Sequence, residues 1–149
     1  MNTVRHLNDS RLPSLPKRRL TFWNKRYLAT AILASLLGTY FDLYFVGKGM
    51  YQFPFRPLPE IFPINIAFTI VILPIFTMIF LFCYSKINKW GRIGLIVFIS
   101  LLMPILERFV ELFGLFSHSD QWEHIYTFFG YLVFLTIISA FYHWLETKD

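Results

Sequence analysis

Charge is scarce in this chain and cysteine is nearly missing. Charged residues make up 15% of its 149 positions, against about 25% in soluble domains. A surface so thinly charged is poorly solvated by water. The single cysteine, Cys83, excludes an intrachain disulfide and any cysteine-rich metal site; it reads as a small buried apolar residue. No P-loop, nucleophile elbow or H-E-x-x-H run occurs, so no specific reaction is announced. Residues 1–26 hold no apolar run of the kind a removable signal peptide needs. Nor do the apolar segments show the ten-residue alternation of a membrane β-barrel. No internal repeat is visible.

What the chain has instead is apolar bulk. It is 56% hydrophobic with a mean hydropathy of +0.51, and eighteen of its residues are Phe. That exceeds what a small water-soluble core can bury, and it points to lipid as the solvent. The net charge of +5 does not make a nucleic-acid surface, because seven of the fourteen Lys and Arg lie before residue 27. Such a cluster suits a basic arm near an anionic membrane face. No nucleic-acid partner is expected.

A spanning helix needs about 20 mainly apolar residues. Four such segments are present, at 27–46, 61–84, 93–116 and 125–145. The expected fold is therefore all-α, a four-helix transmembrane bundle. Residues 1–26 form a basic cytoplasmic arm, 27–145 a single membrane domain, and 146–149 a short cytoplasmic tail. Trp23, Trp90, Trp122 and Trp144 all fall at or just beyond a span end, where interfacial aromatics collect. The second connection carries Lys86, Lys89 and Arg92, whereas the third carries Asp120 and Glu123 with no basic residue. By the positive-inside rule this predicts N-in and C-in termini. Residues 1–26, rich in Arg and poor in acids, also fit an organelle transit sequence, a reading that ranks below the plain one.

The third span poses the central question. Its run PILERFVELF sets Glu107, Arg108 and Glu111 in an otherwise apolar helix. Sixteen Leu, Ile, Val and Phe among its 24 residues favour insertion by roughly 7 kcal/mol in total. Three central charges oppose it by roughly 8–9 kcal/mol. The charges therefore need partners, shielding or a position close to the interface. At about 100° per residue, Ser100, Pro104, Glu107, Glu111 and Gly114 share one stripe, with Arg108 on its flank in reach of Glu111. Ala31, Ser35, Gly38, Thr39 and Asp42 share a face of the first span. His124, Thr127 and Tyr131 do so in the fourth. The second span brings Asn65 and Thr69, and Pro74 should kink it.

Polar groups from four helices thus converge on one level in the outer leaflet. The expected site is an outward-opening pocket bounded by Asp42, Glu107, Arg108, Glu111 and His124. Arg56 and Glu60 approach it from the first loop, with Lys48 and Asn65 as further contributors. Prolines 54, 57, 59 and 63 stiffen that loop, and Tyr51, Phe53 and Phe55 could lie over the bundle mouth. His6 and His118 read as solvent-exposed, and His143 belongs to the opposite end. The E-x-x-x-E spacing of Glu107 and Glu111 is common on helices, so no metal is assigned to them.

The stretch GTYFDLYFVGKGMYQFPFRPLPEIFPINIAFT, 38–69, carries Gly38, Asp42, the turn Gly47-Lys48-Gly49, Tyr51, Phe53-Pro54, Arg56-Pro57, Pro59-Glu60 and Asn65. It resembles the signature of an uncharacterised family of small four-span membrane proteins of spore-forming bacteria. The resemblance implies a location in the bacterial cytoplasmic membrane and brings no activity with it. From the residues, the expected function is binding of a membrane lipid headgroup, a membrane-protein partner or a second copy of the chain. The alternatives are a lipid-modifying enzyme that uses paired carboxylates, and a metal- or ion-binding membrane protein. Whether the chain is an enzyme, and whether it takes a cofactor, stays open.

Overall fold

The computed structural model describes residues 24–148. The basic arm therefore lies outside the described residues, apart from its last three positions. Four helices, each long and apolar enough to cross a membrane, make up the bundle. They are α1 (Lys25–Gly47), α2 (Leu73–Lys86, entered through a π-helical turn at Phe68–Ile72), α3 (Lys89–Leu112) and α4 (His124–Glu146). Two short strands, β1 (Tyr51–Gln52) and β2 (Ser117–His118), pair antiparallel, with Tyr51 opposite His118 and Gln52 opposite Ser117.

Side-chain chemistry starts and stops these helices. Asn24 and Asn88 cap α1 and α3, accepting from the N–H groups of Arg26 and Gly91. Both helices end in the same motif. The N–H of Met50 donates to Phe45 O at 3.0 Å, and that of Leu115 to Val110 O at 3.1 Å. Gly49 and Gly114 take the intervening positive φ, at 69° and 71°. Only glycine adopts that conformation without strain, which is why it closes helices in this way. Each glycine then releases the chain into a strand, and pairing of the strands ties the two connections together.

Two spans differ from expectation. The third helix occupies 89–112 rather than 93–116. Hydropathy does not register that Gly114 turns the chain, so Phe113 to Phe116 follow the helix instead of extending it. The second span begins at 66 rather than 61. Asn65 caps that start, its side-chain oxygen accepting from Phe68 N at 3.2 Å. Pro74 acts by more than a kink. It lacks an N–H, and the ladder upstream opens into the π-helical turn, where Leu73 N donates to Phe68 O. The Thr69 carbonyl accepts instead from the Ser35 hydroxyl of α1 at 2.7 Å. A proline-freed acceptor is thus satisfied across a helix interface, as a lipid-embedded backbone requires.

Polarity is arranged inside out. Buried positions include Thr30, Thr69, Thr77, Ser100, Thr127 and Ser139, whereas Leu36, Phe98, Phe129 and Val133 are exposed. In water such a surface would aggregate; in a bilayer it faces acyl chains. Cys83, expected inside, is exposed. Small residues bring α1 and α2 close together, and a Cβ at Gly38 would collide with Leu73 Cδ2.

The helices run up and down in turn. At one end, Tyr27 of α1 meets Tyr142 of α4 ring to edge at 5.3 Å and donates to Ser85 Oγ at 3.0 Å. At the other, the strand ribbon closes the bundle. There Tyr51, Phe116 and Trp122 form a second buried cluster with Phe45, Val46, Met50 and Phe53 around it. Trp122 was expected in an interfacial belt; it is buried instead, and its indole stands 4.9 Å from the Tyr51 ring.

Candidate functional site

The polar side chains gather under the ribbon, and Glu107 is their hub. It lies a little over one turn before the end of α3, with its side chain only 12% exposed. Its Oε1 accepts from the Trp122 indole N–H at 3.1 Å and from His124 Nδ1 at 2.8 Å. Its Oε2 accepts from the Thr127 hydroxyl. Three donors from the β2–α4 connection and the first turn of α4 thus converge on one carboxylate of α3. This answers the energetic problem of the third span: Glu107 is compensated inside the protein, by neutral donors and a histidine rather than by a cation on its own helix.

Glu111 stands one turn further on and faces two imidazoles. His118 Nε2 lies 3.2 Å from its Oε1, and His124 Nε2 lies 4.0 Å from its Oε2. The two histidine rings meet edge to face at 5.1 Å. His118 Nδ1 donates to the Ser119 carbonyl at 3.0 Å. His118 is therefore a member of the site and not a solvent-exposed loop residue. Its position in sequence, in a polar loop eleven residues past Glu107, carried no helical periodicity that could reveal it. The pairing of β1 with β2 brings it in.

Asp42 belongs to a different environment. Its Oδ1 accepts from the Tyr51 hydroxyl at 2.7 Å, while its Oδ2 is buried and has no hydrogen-bond partner among the described residues. The link between Asp42 and the Glu107 group runs through aromatic rings, from Tyr51 to Trp122. The Tyr51 hydroxyl, in the ribbon, is held above the usual phenol range. Burial is the main cause, and the neighbouring Asp42 charge and hydrogen bond add to it.

Arg108 does not pair with Glu111, whose oxygens are turned to the histidines. Among the described residues it has no hydrogen bond or ion pair. It is exposed and lines a groove of about 410 Å³ with Pro104, Ile105, Phe109, Leu112 and His124. The expected pocket is thus divided. A packed polar cluster occupies the interior, and an open groove with apolar walls and one guanidinium runs along the α3–α4 face. A smaller groove of about 270 Å³, lined among others by Tyr51 and His118, opens beside the ribbon.

The loop contributors fall elsewhere. Arg56 folds back on its own loop, donating to the carbonyls of Phe62 at 2.8 Å and Phe53 at 2.7 Å, with a longer contact to Pro59. A proline-rich segment has few N–H groups of its own, and the guanidinium organises the carbonyls left over. Glu60 is exposed, and Lys48 caps the end of α1 with its ammonium 5.8 Å above the Tyr44 ring. Neither joins the cluster. Tyr51 and Phe53 do cover the bundle end, while Phe55 points to solvent or lipid at 77% exposure. His143 pairs with Glu146 at the far end.

Comparison with known proteins finds no matching family model, no matching curated protein and no matching solved structure.

Proposed function

We propose that the chain is a multi-pass protein of the bacterial cytoplasmic membrane that binds an anionic phospholipid headgroup in the α3–α4 groove. The observation that carries this reading is Arg108, a guanidinium without a partner among the described residues, in a groove whose other walls are Pro104, Ile105, Phe109, Leu112 and His124. A phosphate is the natural bidentate partner of such a group, and the apolar walls suit the upper part of an acyl chain. The basic arm and the Lys86, Lys89 and Arg92 connection support an N-in, C-in orientation, which sets the groove in the outer leaflet. The 38–69 resemblance supports the bacterial location.

Recognition is favoured over catalysis because both oxygens of Glu107 already accept from the chain's own donors, and Asp42 is not paired with it. A general base needs a free acceptor within reach of substrate. The test is native mass spectrometry of the purified chain with phosphatidylglycerol and phosphatidylcholine. We expect retention of the anionic lipid, and about a tenfold loss of that preference in Arg108→Gln, the size of one charge-assisted contact. Equal retention of both lipids by the unaltered chain would end this reading. Displacement of lipid by a second copy of the chain would favour the oligomer instead.

A further inference from the structure

We propose that Glu111, His118 and His124 bind one divalent transition-metal ion of the zinc class. Their ligand atoms lie within 4.8 Å of one another. The two Nε2 to carboxylate-oxygen separations are 3.2 and 4.0 Å. A tetrahedral ion about 2.1 Å from each donor holds donor atoms about 3.4 Å apart, so small side-chain movements close the set. Two imidazoles and one carboxylate are an established zinc ligand combination that leaves a fourth position open.

The hydrogen bonds around the rings make the case stronger than proximity alone. His124 Nδ1 faces Glu107 Oε1, and His118 Nδ1 faces the Ser119 carbonyl. A backbone carbonyl has no proton to give, and Glu107 already accepts from Trp122 and Thr127. The carbonyl makes His118 Nδ1 the donor, and an ionised Glu107, which can only accept, makes His124 Nδ1 the donor too. A neutral imidazole has one N–H, so in their neutral form, the form that binds metal, both rings turn the Nε2 lone pair toward the oxygens of Glu111. Lone pairs facing a carboxylate repel unless a cation lies between them. Metal-bound histidines are oriented in just this way, with the distal nitrogen donating to a carboxylate or a carbonyl.

The ligands also come from three rigidly connected places. Glu111 is in the last turn of α3, His118 in β2 and His124 in the first turn of α4. Ribbon pairing fixes His118 opposite Tyr51. His124 borders the larger groove and His118 the smaller, so the fourth coordination position is within reach of an outside oxygen ligand. This proposal stands independently of the lipid reading.

The experiment is titration of the full chain in detergent, stripped with chelator, with Zn²⁺ alone, followed by calorimetry and elemental analysis. One ion per chain is expected. His118→Ala and Glu111→Gln should each abolish stoichiometric binding, and Glu107→Gln should weaken it about 10–100-fold as a partner of the ligand. His143→Ala, at the far end, should bind as the unaltered chain does. Binding by the unaltered chain no tighter than by a His118→Ala/His124→Ala double variant would overturn the site, leaving the cation role to protons on the two rings. Should the variants fail to fold, Co²⁺ absorption of the unaltered chain decides. Intense tetrahedral bands support the site, and the pale spectrum of hydrated cobalt contradicts it.

Discussion

The two helical hairpins, α1–β1–α2 and α3–β2–α4, begin alike and are used differently. Each first helix ends at a glycine of positive φ, Gly49 or Gly114, and each carries a carboxylate seven residues before that glycine, Asp42 or Glu107. Ser35 and Ser100 stand seven residues earlier still. Yet among the described residues Asp42 receives one hydrogen bond and keeps a buried oxygen without a partner, whereas Glu107 receives three. The connections account for this. The first spends its length on a proline loop organised by Arg56, and the second, shorter one delivers Trp122, His124 and Thr127 directly onto α3. A carboxylate in lipid is thus held by what the following loop supplies more than by its own helix.

The two hairpins should differ most at their carboxylates. Glu107→Ala should destabilise the bundle by about 2–3 kcal/mol, since two buried donors, Trp122 and Thr127, and the half-buried His124 lose their acceptor. Asp42→Asn keeps an acceptor for Tyr51 and replaces the orphaned oxygen, so it should cost less than about 1 kcal/mol. Unfolding in mixed micelles measures both, and equal losses would erase the distinction between the hairpins.

The shared cap makes the opposite prediction. Gly49→Ala and Gly114→Ala each force a side chain into positive φ, and each should cost about 1 kcal/mol. Neither has a neighbour within 4 Å of the added Cβ, so backbone strain is the whole effect. Losses that differ by more than about 1 kcal/mol would show that the caps are not equivalent.

A smaller effect lies at the Asp42–Tyr51 bond. Tyr51→Phe removes one hydrogen bond, worth about 0.6 kcal/mol in a membrane protein. It also changes the alkaline limb. Because burial and the Asp42 charge raise the Tyr51 hydroxyl in the folded chain, the folded state keeps a proton that the unfolded chain gives up near pH 10. This contribution is complete below that pH and declines as the pH climbs further. Stability measured upward from pH 9 should fall less steeply in Tyr51→Phe, and an unchanged slope would remove Tyr51 from the account.

Much of this was legible in the sequence because lipid imposes simple rules. The four helices followed from apolar length, and the stripe of Ser100, Glu107 and Glu111 from helical periodicity. His124 and Thr127, read as one face of α4, do meet Glu107 together. What periodicity does not carry is where loops return. His118 lay in a polar connection with no repeat to orient it, and only strand pairing brings it to Glu111. Arg108 was read as the partner of Glu111 from its spacing, but the histidines compete better for those oxygens. Arg56 is expected near the site from its place in a loop read as covering the bundle mouth. A proline-rich loop leaves carbonyls without local donors, and the guanidinium goes to them. Phe116, apolar and adjacent to a span, packs under the ribbon instead of in the helix because Gly114 intervenes.

Glu107 fixes the His124 ring so that its Nε2 faces Glu111. Long-range ¹H–¹⁵N correlation spectra of the histidine rings, recorded on the full chain in detergent at neutral pH without added metal, test it most directly. The expected result is a proton on His124 Nδ1, protected from exchange and lost from that position when Glu107 is changed to Ala. A neutral His124 ring protonated at Nε2 in the unaltered chain would contradict it.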